Sequence, residues 1–237
     1  MDYFLAGLII FVAIFVQSVA GFGMALVSMP LLVRLFGLQV AMPLVALVGL
    51  VAEGGLLLHY REALSLKAVV RLAAASLVGI PVGLYAARLA DERLVTVLLG
   101  VLVLGYVAYA LLSPRLPEIK GQGWAYLFGL FGGLLSGAYN TGGPPVVIYG
   151  DLRRWEPGEF KSNLQGYFMF NSLMVAGFHA LAGSYHPPFW GFFWVALPAA
   201  GLAMLAGFSL DRYINPAVFR RIVLVLLVVL GIRLLLP

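Results

Sequence analysis

The sequence predicts an all-α, polytopic integral membrane protein with about eight hydrophobic segments arranged as two inverted repeats. Of the 237 residues, 62% are hydrophobic and only 11% are charged, a composition far from that of a soluble domain. Five runs lack Asp, Glu, Lys and Arg and approach or exceed the ~20 residues that cross a bilayer. Glycine and proline interrupt the first and fifth segments at corresponding places in the two halves.

The lengths of the apolar runs define the eight candidate segments. They are residues 3–36, 38–58, 68–87, 94–113, 123–150, 163–183, 189–209 and 217–236. The first is too long for one straight helix, because 34 residues at ~1.5 Å each would reach ~50 Å across a core of ~30 Å. Gly21-Phe22-Gly23 interrupts it. Residues 137–145 interrupt the fifth, where two prolines follow two glycines and cannot continue an α-helix. We therefore expect broken, re-entrant helices at segments one and five.

The paired interruptions indicate an internal repeat. Pro30 matches Pro145 at an offset of 115, and Gly79 matches Ala203 at 124, so the offset grows along the chain. The spacing of Gly79 and Gly83 also suits close packing of helices, which is the preferred interpretation for these two residues. The predicted division is 1–113 for the first transmembrane repeat, 114–122 for a connecting loop and 123–237 for the second repeat.

The distribution of Lys and Arg predicts the topology. If all eight segments cross the membrane, six of these residues face one side and nine face the other, which decides nothing. If segments one and five return to the side from which they entered, the split becomes eleven to four. The richer side is then cytoplasmic and both termini lie outside. Each half contains an odd number of full crossings, so the repeats must be inverted.

The helix breaks predict a site for a small anion. Free N–H and C=O groups at a break must face protein or a polar cavity. With inverted repeats, both breaks meet near the midplane, where the helix after each break points its positive N-terminal end at the cavity. Glycines that merely relieve crowding between helices are the alternative. The predicted substrate-binding residues are Gln17, Gly21, Phe22, Gly23, Tyr139, Asn140, Thr141, Gly142, Gly143 and Asn171.

Two titratable residues inside apolar runs are candidates for coupling. Glu53 would cost ~3 kcal/mol if charged at the bilayer centre, so it either carries a proton or lies near the headgroups, five residues from the end of its segment. His179 either takes part in coupling or makes a hydrogen bond between helices. No metal or cofactor is expected, since the chain lacks cysteine and its three histidines have no metal-ligand spacing.

The two break motifs resemble the TauE/SafE sulfite exporter family, also called the TSUP family. Residues 21–32 look like its first repeat and residues 135–145 like its second, and the resemblance covers nearly the whole chain. It implies export of a small sulfur-containing anion, such as sulfite or the organosulfonate sulfoacetate. It also implies a multi-pass protein of a prokaryotic plasma or inner membrane. The expected partners are this anion and the lipid bilayer, with a homodimer as an option and no nucleic acid.

Two other function classes are open. One is an anion channel. The other is an intramembrane hydrolase, in which Ser136 at the second break and His179 on a later helix would form a nucleophile and base. No Walker-type nucleotide-binding motif is present, so an ion gradient or the membrane potential must drive transport.

Overall fold

The structure, a computed structural model, describes residues 1–112 and 117–236. Part of the predicted loop 114–122 and the C-terminal residue Pro237 lie outside the described residues. The described part is all-helical, as predicted, with two short 3-10 turns at Arg61–Ala63 and Asp211–Tyr213. Its α-helices are α1 (Asp2–Ala20), α2 (Met24–Phe36), α3 (Leu38–Tyr60), α4 (Leu66–Leu89), α5 (Glu92–Leu112), α6 (Trp124–Tyr139), α7 (Gly143–Leu152), α8 (Pro157–Leu181), α9 (Pro187–Leu210) and α10 (Pro216–Leu235).

Both predicted helix breaks are present. In the first break (residues 21–23), α1 ends at Gly21 with φ of 83°, and Gly23 precedes α2 with φ of 112°. Such left-handed backbone strains any residue with a side chain, which explains the two glycines. In the second break (residues 140–142), α6 ends at Asn140, also left-handed with φ of 55°. Asparagine tolerates this conformation better than most residues.

Five helices of the described part are long and apolar enough to cross a membrane by themselves. They are Asp2–Ala20, Leu38–Ala63, Leu66–Leu89, Glu92–Leu112 and Phe189–Leu210. Together with the shorter apolar helices, they make the chain a multi-pass membrane protein. The exact number of crossings stays a prediction.

Contacts between helix ends support the re-entrant arrangement, which also stays a prediction. Tyr3 near the start of α1 and Phe36 at the end of α2 both pack on Phe192, with ring centroids 4.7 Å and 5.0 Å apart. Segment one therefore returns to the end of the bundle at which it began. The Ile119 N–H, before α6, donates to the Leu152 carbonyl at the end of α7 over 3.0 Å. Segment five therefore returns to the end of the bundle at which it began.

The two halves pack on each other in a symmetric way. α4 packs on α6 as α9 packs on α1, while α3 packs on α8 and α5 on α10. α2 and α7 begin 119 residues apart, as do α3 and α8. The residues that end α1 and α6, Gly21 and Asn140, have the same spacing. Pro30 and Pro145, matched at 115 from the sequence, are therefore not equivalent, because each has a different position in its helix. The pattern supports the inverted repeats, while the boundaries at 113 and 123 stay predictions.

Glycines position the second break by allowing α4 and α6 to approach closely. A Cβ atom on Gly79 would collide with the Leu130 carbonyl, and one on Gly83 would collide with the Leu134 carbonyl. The predicted role of these two glycines in helix packing is thus confirmed. Backbone contact of this kind holds α6, and with it Asn140, in a defined place.

Candidate functional site

The two breaks meet at one small cavity, called the central cavity here. Its volume is about 30 Å³, enough for about two waters when one water needs ~10–15 Å³ of such space. The first break and its helices contribute Gln17, Gly23, Met24, Ala25 and Leu26, and the second contributes Asn140, Thr141 and Gly143. Val45 and Glu53 on α3 and Phe168 and Ser172 on α8 complete the wall. The predicted meeting of the two breaks is thus seen in the fold.

A second, smaller cavity of about 20 Å³, the side cavity, lies next to the first. The two cavities share the side chains of Glu53, Asn140, Phe168 and Ser172. The side cavity adds Ser136, Gly142, Asn171 and Val175. Glu53 therefore faces both spaces.

Three of the ten predicted site residues line neither cavity. Gly21 lies against α8, where a Cβ atom would come within 3.0 Å of Cγ of Lys161. Phe22 packs edge-on against Tyr106, with ring centroids 5.7 Å apart. Tyr139 is buried beside the turn. These three residues therefore belong to the breaks and their surroundings but not to the cavity walls.

A pair of glutamines holds the first break. The Gln17 Oε1 atom accepts a hydrogen bond of 3.1 Å from the Met24 N–H, the first of α2. Its amide donates over 3.1 Å to Gln165 on α8, whose own amide donates over 2.7 Å to the Gly21 carbonyl. Both side chains are almost completely buried. The site prediction missed Gln165, although a glutamine inside an apolar run was the available signal.

Polar side chains also surround the second break, but not all of them have hydrogen-bond partners among the described residues. The Asn140 amide donates a hydrogen bond of 2.8 Å to the Met42 carbonyl on α3, so it has a protein partner in this conformation. The Asn171 amide donates a hydrogen bond of 2.8 Å to the Ser136 hydroxyl. Thr141, only 1% exposed, makes no such bond with its hydroxyl among the described residues.

Three buried polar atoms of the cavity walls have no hydrogen-bond partner in residues 1–112 and 117–236. They are Thr141 Oγ1, Asn171 Oδ1 and Glu53 Oε2. Buried polar atoms in proteins are normally paired, so a group of unpaired atoms around one space indicates a place for water or a polar ligand.

Glu53 is a buried carboxylate in the middle of this site. It is 7% exposed, so it is covered by protein, while its depth in the membrane stays a prediction. One of its oxygens has a hydrogen bond with the Ser172 hydroxyl. Gly49 makes room for the pair, since a Cβ atom there would lie 3.2 Å from Ser172 Oγ and 3.5 Å from Glu53 Oε1. Ser172 is a second residue that the site prediction missed, and the sequence around it carries no special signal.

A larger open space, the vestibule, lies beyond Met42. It measures about 630 Å³ and is formed by the residues around the ends of α2, α4 and α8. Arg88, Glu92 and His186 line it, as does His179, whose Nδ1 lies 3.1 Å from Ser184 Oγ. Because Met42 lines the vestibule and Asn140 lines the central cavity, the Asn140–Met42 hydrogen bond lies between the two spaces.

The protein family described as "Sulfite exporter TauE/SafE" matches residues 6–234. The chain belongs to this family. One curated relative is the "Probable sulfite/organosulfonate exporter TauE" of Cupriavidus necator, 28% identical over 228 residues, which cover 93% of this chain and 89% of the relative. No solved structure matches the chain. Neither match supports the homodimer.

The geometry of this TauE/SafE protein does not assemble the Ser/His pair of the hydrolase alternative. Ser136 lines the side cavity and accepts its hydrogen bond from Asn171. His179 lines the vestibule and contacts Ser184. A general base must lie within hydrogen-bond reach of its nucleophile, and here each residue has another partner. Membership of an exporter family also favours transport over catalysis.

Proposed function

We propose that this TauE/SafE protein is a secondary transporter that exports sulfite or an organosulfonate such as sulfoacetate, and that the anion binds in the central cavity. The observation that carries the proposal is the cavity itself, lined by both helix breaks and by the unpaired hydroxyl of Thr141. The name of the Cupriavidus necator relative supports the substrate class.

Neutral donors would hold the anion. No Lys or Arg is among the described residues that line the two cavities. The first N–H groups of an α-helix have no acceptor within the helix, so those of Ala25 and Leu26 are available beside the Thr141 hydroxyl. Each hydrogen bond to a charged partner contributes about 1.5–3 kcal/mol, and the N-terminal ends of α2 and α7 add favourable dipoles. An anion held in this way can also leave, since no permanent cation retains it.

A secondary transporter must open its binding site to one side of the membrane and then to the other. The central cavity, at about 30 Å³, holds about two waters, and an organosulfonate such as sulfoacetate is larger, so the cavity must widen. Opening toward the vestibule would break the Asn140–Met42 bond. Opening toward the opposite end would disturb the Gln165–Gly21 bond and the nearby 3.1 Å ion pair between Lys161 and Asp211. We propose that the vestibule faces outside, in an inner membrane of a prokaryotic cell with both termini outside.

Transport by purified protein in proteoliposomes tests the function. Labelled sulfite, sulfoacetate, taurine and sulfate are compared, and we expect saturable uptake of sulfite or sulfoacetate with counterflow. Saturation without counterflow, or unsaturable flux, would assign a channel instead. Absence of sulfur-anion transport would refute the proposal.

A matched pair of variants tests the site. Thr141→Val removes the cavity hydroxyl with little change of shape, and we expect roughly tenfold or greater loss of affinity, as for a hydrogen bond to a charged partner. Ser162→Ala is the control, because Ser162 is also buried and unpaired among the described residues but lines neither cavity. Equal affinities of Thr141→Val and the wild type would place the anion elsewhere.

A further inference from the structure

We propose that Glu53 takes up one proton for each anion that enters the central cavity, so that the protein carries an anion and a proton together. The inference rests on the proposed function and assigns its coupling ion. It starts from the geometry of the carboxylate: Glu53 faces both cavities, has Ser172 as the partner of one oxygen and has no partner for Oε2 among the described residues.

Glu53 and Ser172 occupy equivalent positions in the two halves. They are 119 residues apart, the same offset that relates the starts of α3 and α8 and the helix-ending residues Gly21 and Asn140. α3 and α8 pack on each other, and the hydrogen bond joins the two equivalent side chains across their contact. An axis that exchanges the halves passes between such residues. Glu53 is therefore central, and it can be reached from either side as the halves alternate.

The groups that face Glu53 from the neighbouring elements carry no charge. The break at α1 and α2 presents Gln17 and Met24, the break at α6 and α7 presents Asn140 and Thr141, and α8 presents Phe168, Asn171 and Ser172. α9, which also packs on α3, contains no titratable residue. The titratable residues of these elements and of the 3-10 turn that lie outside the two cavity walls are Asp2 and Tyr3 on α1, Arg34 on α2, His59 and Tyr60 on α3, Arg61 and Glu62 in the turn, Tyr126 and Tyr139 on α6, Tyr149 and Asp151 on α7, and Glu159, Lys161, Tyr167 and His179 on α8.

A bound anion therefore meets a carboxylate with no cation to offset it. Two negative groups that share a buried site cannot both stay ionised, and one of them takes up a proton. A sulfonate group is too weak a base to do so. The carboxylate of sulfoacetate and the oxygens of sulfite could also accept a proton, and we assign it to Glu53 because this side chain is buried at the site with one oxygen unpaired among the described residues, whichever anion is bound. The proton comes from water and forms an O–H bond at the carboxyl group. Once protonated, Oε2 changes from an acceptor that repels the anion into a donor that can bind it.

Counting protons with sulfoacetate tests the inference directly. Near neutral pH both acidic groups of sulfoacetate are ionised, so the probe brings no proton of its own. In proteoliposomes with a trapped pH dye, we expect one proton to enter with each sulfoacetate. Binding to the purified full chain should weaken as the pH rises, by up to about tenfold per pH unit for the uptake of one proton. If sulfite alone is carried, the count is made with sulfite at alkaline pH, where it is a dianion.

Variants of two carboxylates and one hydroxyl complete the experiment. Glu53→Gln should bind the anion with no dependence on pH and move it without a proton. Glu62→Gln is the control, because Glu62 is exposed in the 3-10 turn after α3, and it should behave as the wild type does. Ser172→Ala leaves the carboxyl group of Glu53 in place. This variant should still carry one proton with each anion, but the pH range over which binding weakens should shift.

The outcomes separate the inference from the proposed function. Saturable transport by the wild type without proton movement overturns the inference and leaves the function standing. A Glu53→Gln variant that still moves one proton per anion also overturns it. If that variant does not fold, the wild-type proton count with methanesulfonate decides, because this anion has no basic group besides its sulfonate. Absence of saturable transport of both sulfite and sulfoacetate refutes the proposed function itself.

Discussion

The two helix breaks have equivalent positions in the fold but offer different chemistry to the same cavity. After the first break, Ala25 and Leu26 have backbone N–H groups in the opening turn of α2. After the second, Pro144 and Pro145 occupy the opening turn of α7 and have no N–H to offer. The second break instead brings to the cavity the hydroxyl of Thr141, which has no hydrogen-bond partner within residues 1–112 and 117–236. A repeated fold can therefore place backbone donors on one side of a ligand and side-chain donors on the other.

The breaks also differ in what holds them. The first depends on hydrogen bonds from the buried pair Gln17 and Gln165. The second depends on close backbone contacts, because α6 packs tightly on α4 and a Cβ atom on Gly142 would collide with Ser136 Oγ. Asn140 is anchored on α3 as well. We expect the first break to be sensitive to loss of polar groups and the second to added volume.

The largest expected effect is an all-or-none difference in labelling. It tests whether the two repeats, and with them the two breaks, have opposite orientations in the membrane. The chain has no cysteine, so single cysteines report without background. Gln39→Cys, exposed near the start of α3, should react with an impermeant maleimide on intact cells, whereas Gln122→Cys, exposed before α6, should react only after lysis. A reporter fused to the C-terminus should lie outside. Labelling of Gln122→Cys in intact cells, or a cytoplasmic reporter signal, would refute the inverted arrangement.

Added volume at the second break should abolish folding at one glycine and transport at the next. Gly142→Val should yield no stable protein, because a Cβ atom at this position would lie 2.6 Å from the Gly132 carbonyl oxygen. At Gly143 a Cβ atom makes ordinary contact with Phe168 at 3.5 Å, so Gly143→Leu should fold and fill the cavity. Purification yield and proteoliposome uptake measure the two effects. Normal uptake by Gly143→Leu would contradict the position of the site.

Loss of the Asn140 side chain should have an intermediate effect. We expect Asn140→Ala to weaken sulfite binding by roughly one to two orders of magnitude, as for a hydrogen bond to a charged partner. Asn140→Gly separates two causes, because glycine adopts the left-handed backbone freely. If binding to Asn140→Gly equals that of the wild type, the side chain serves only the conformation of the turn.

The smallest effect on binding is expected at Gln17. Gln17→Leu removes the partners of Gln165 and of the Met24 N–H, but the N–H groups of Ala25 and Leu26 stay in place. Stability should fall by about 1–3 kcal/mol for the buried groups left unpaired, while anion affinity changes by less than about tenfold. Denaturation and binding assays measure both. A loss of affinity as large as that of Asn140→Ala would show that the two breaks do not differ in this way.

The positions of the breaks could be predicted from the sequence because the cause is local. Gly21 and Gly23 adopt left-handed backbone, and Pro144 and Pro145 suit only the first turn of a new helix, whatever surrounds them. The apolar runs likewise determined the class of protein, since the length that crosses a bilayer is a property of the run alone. The family resemblance rested on the same local motifs, and the family match confirmed it.

Only the tertiary structure decided which side chains share the cavity. Gln165 and Ser172 lie on α8, far from both breaks in sequence, and reach them through the packing of α8 on α3. The burial of Glu53 also depends on its neighbours in the fold, because α8 covers it and supplies Ser172 as its partner. Comparison of residue types along the sequence likewise paired Pro30 with Pro145. The bounds of the helices in the structure show that equivalent residues are 119 apart.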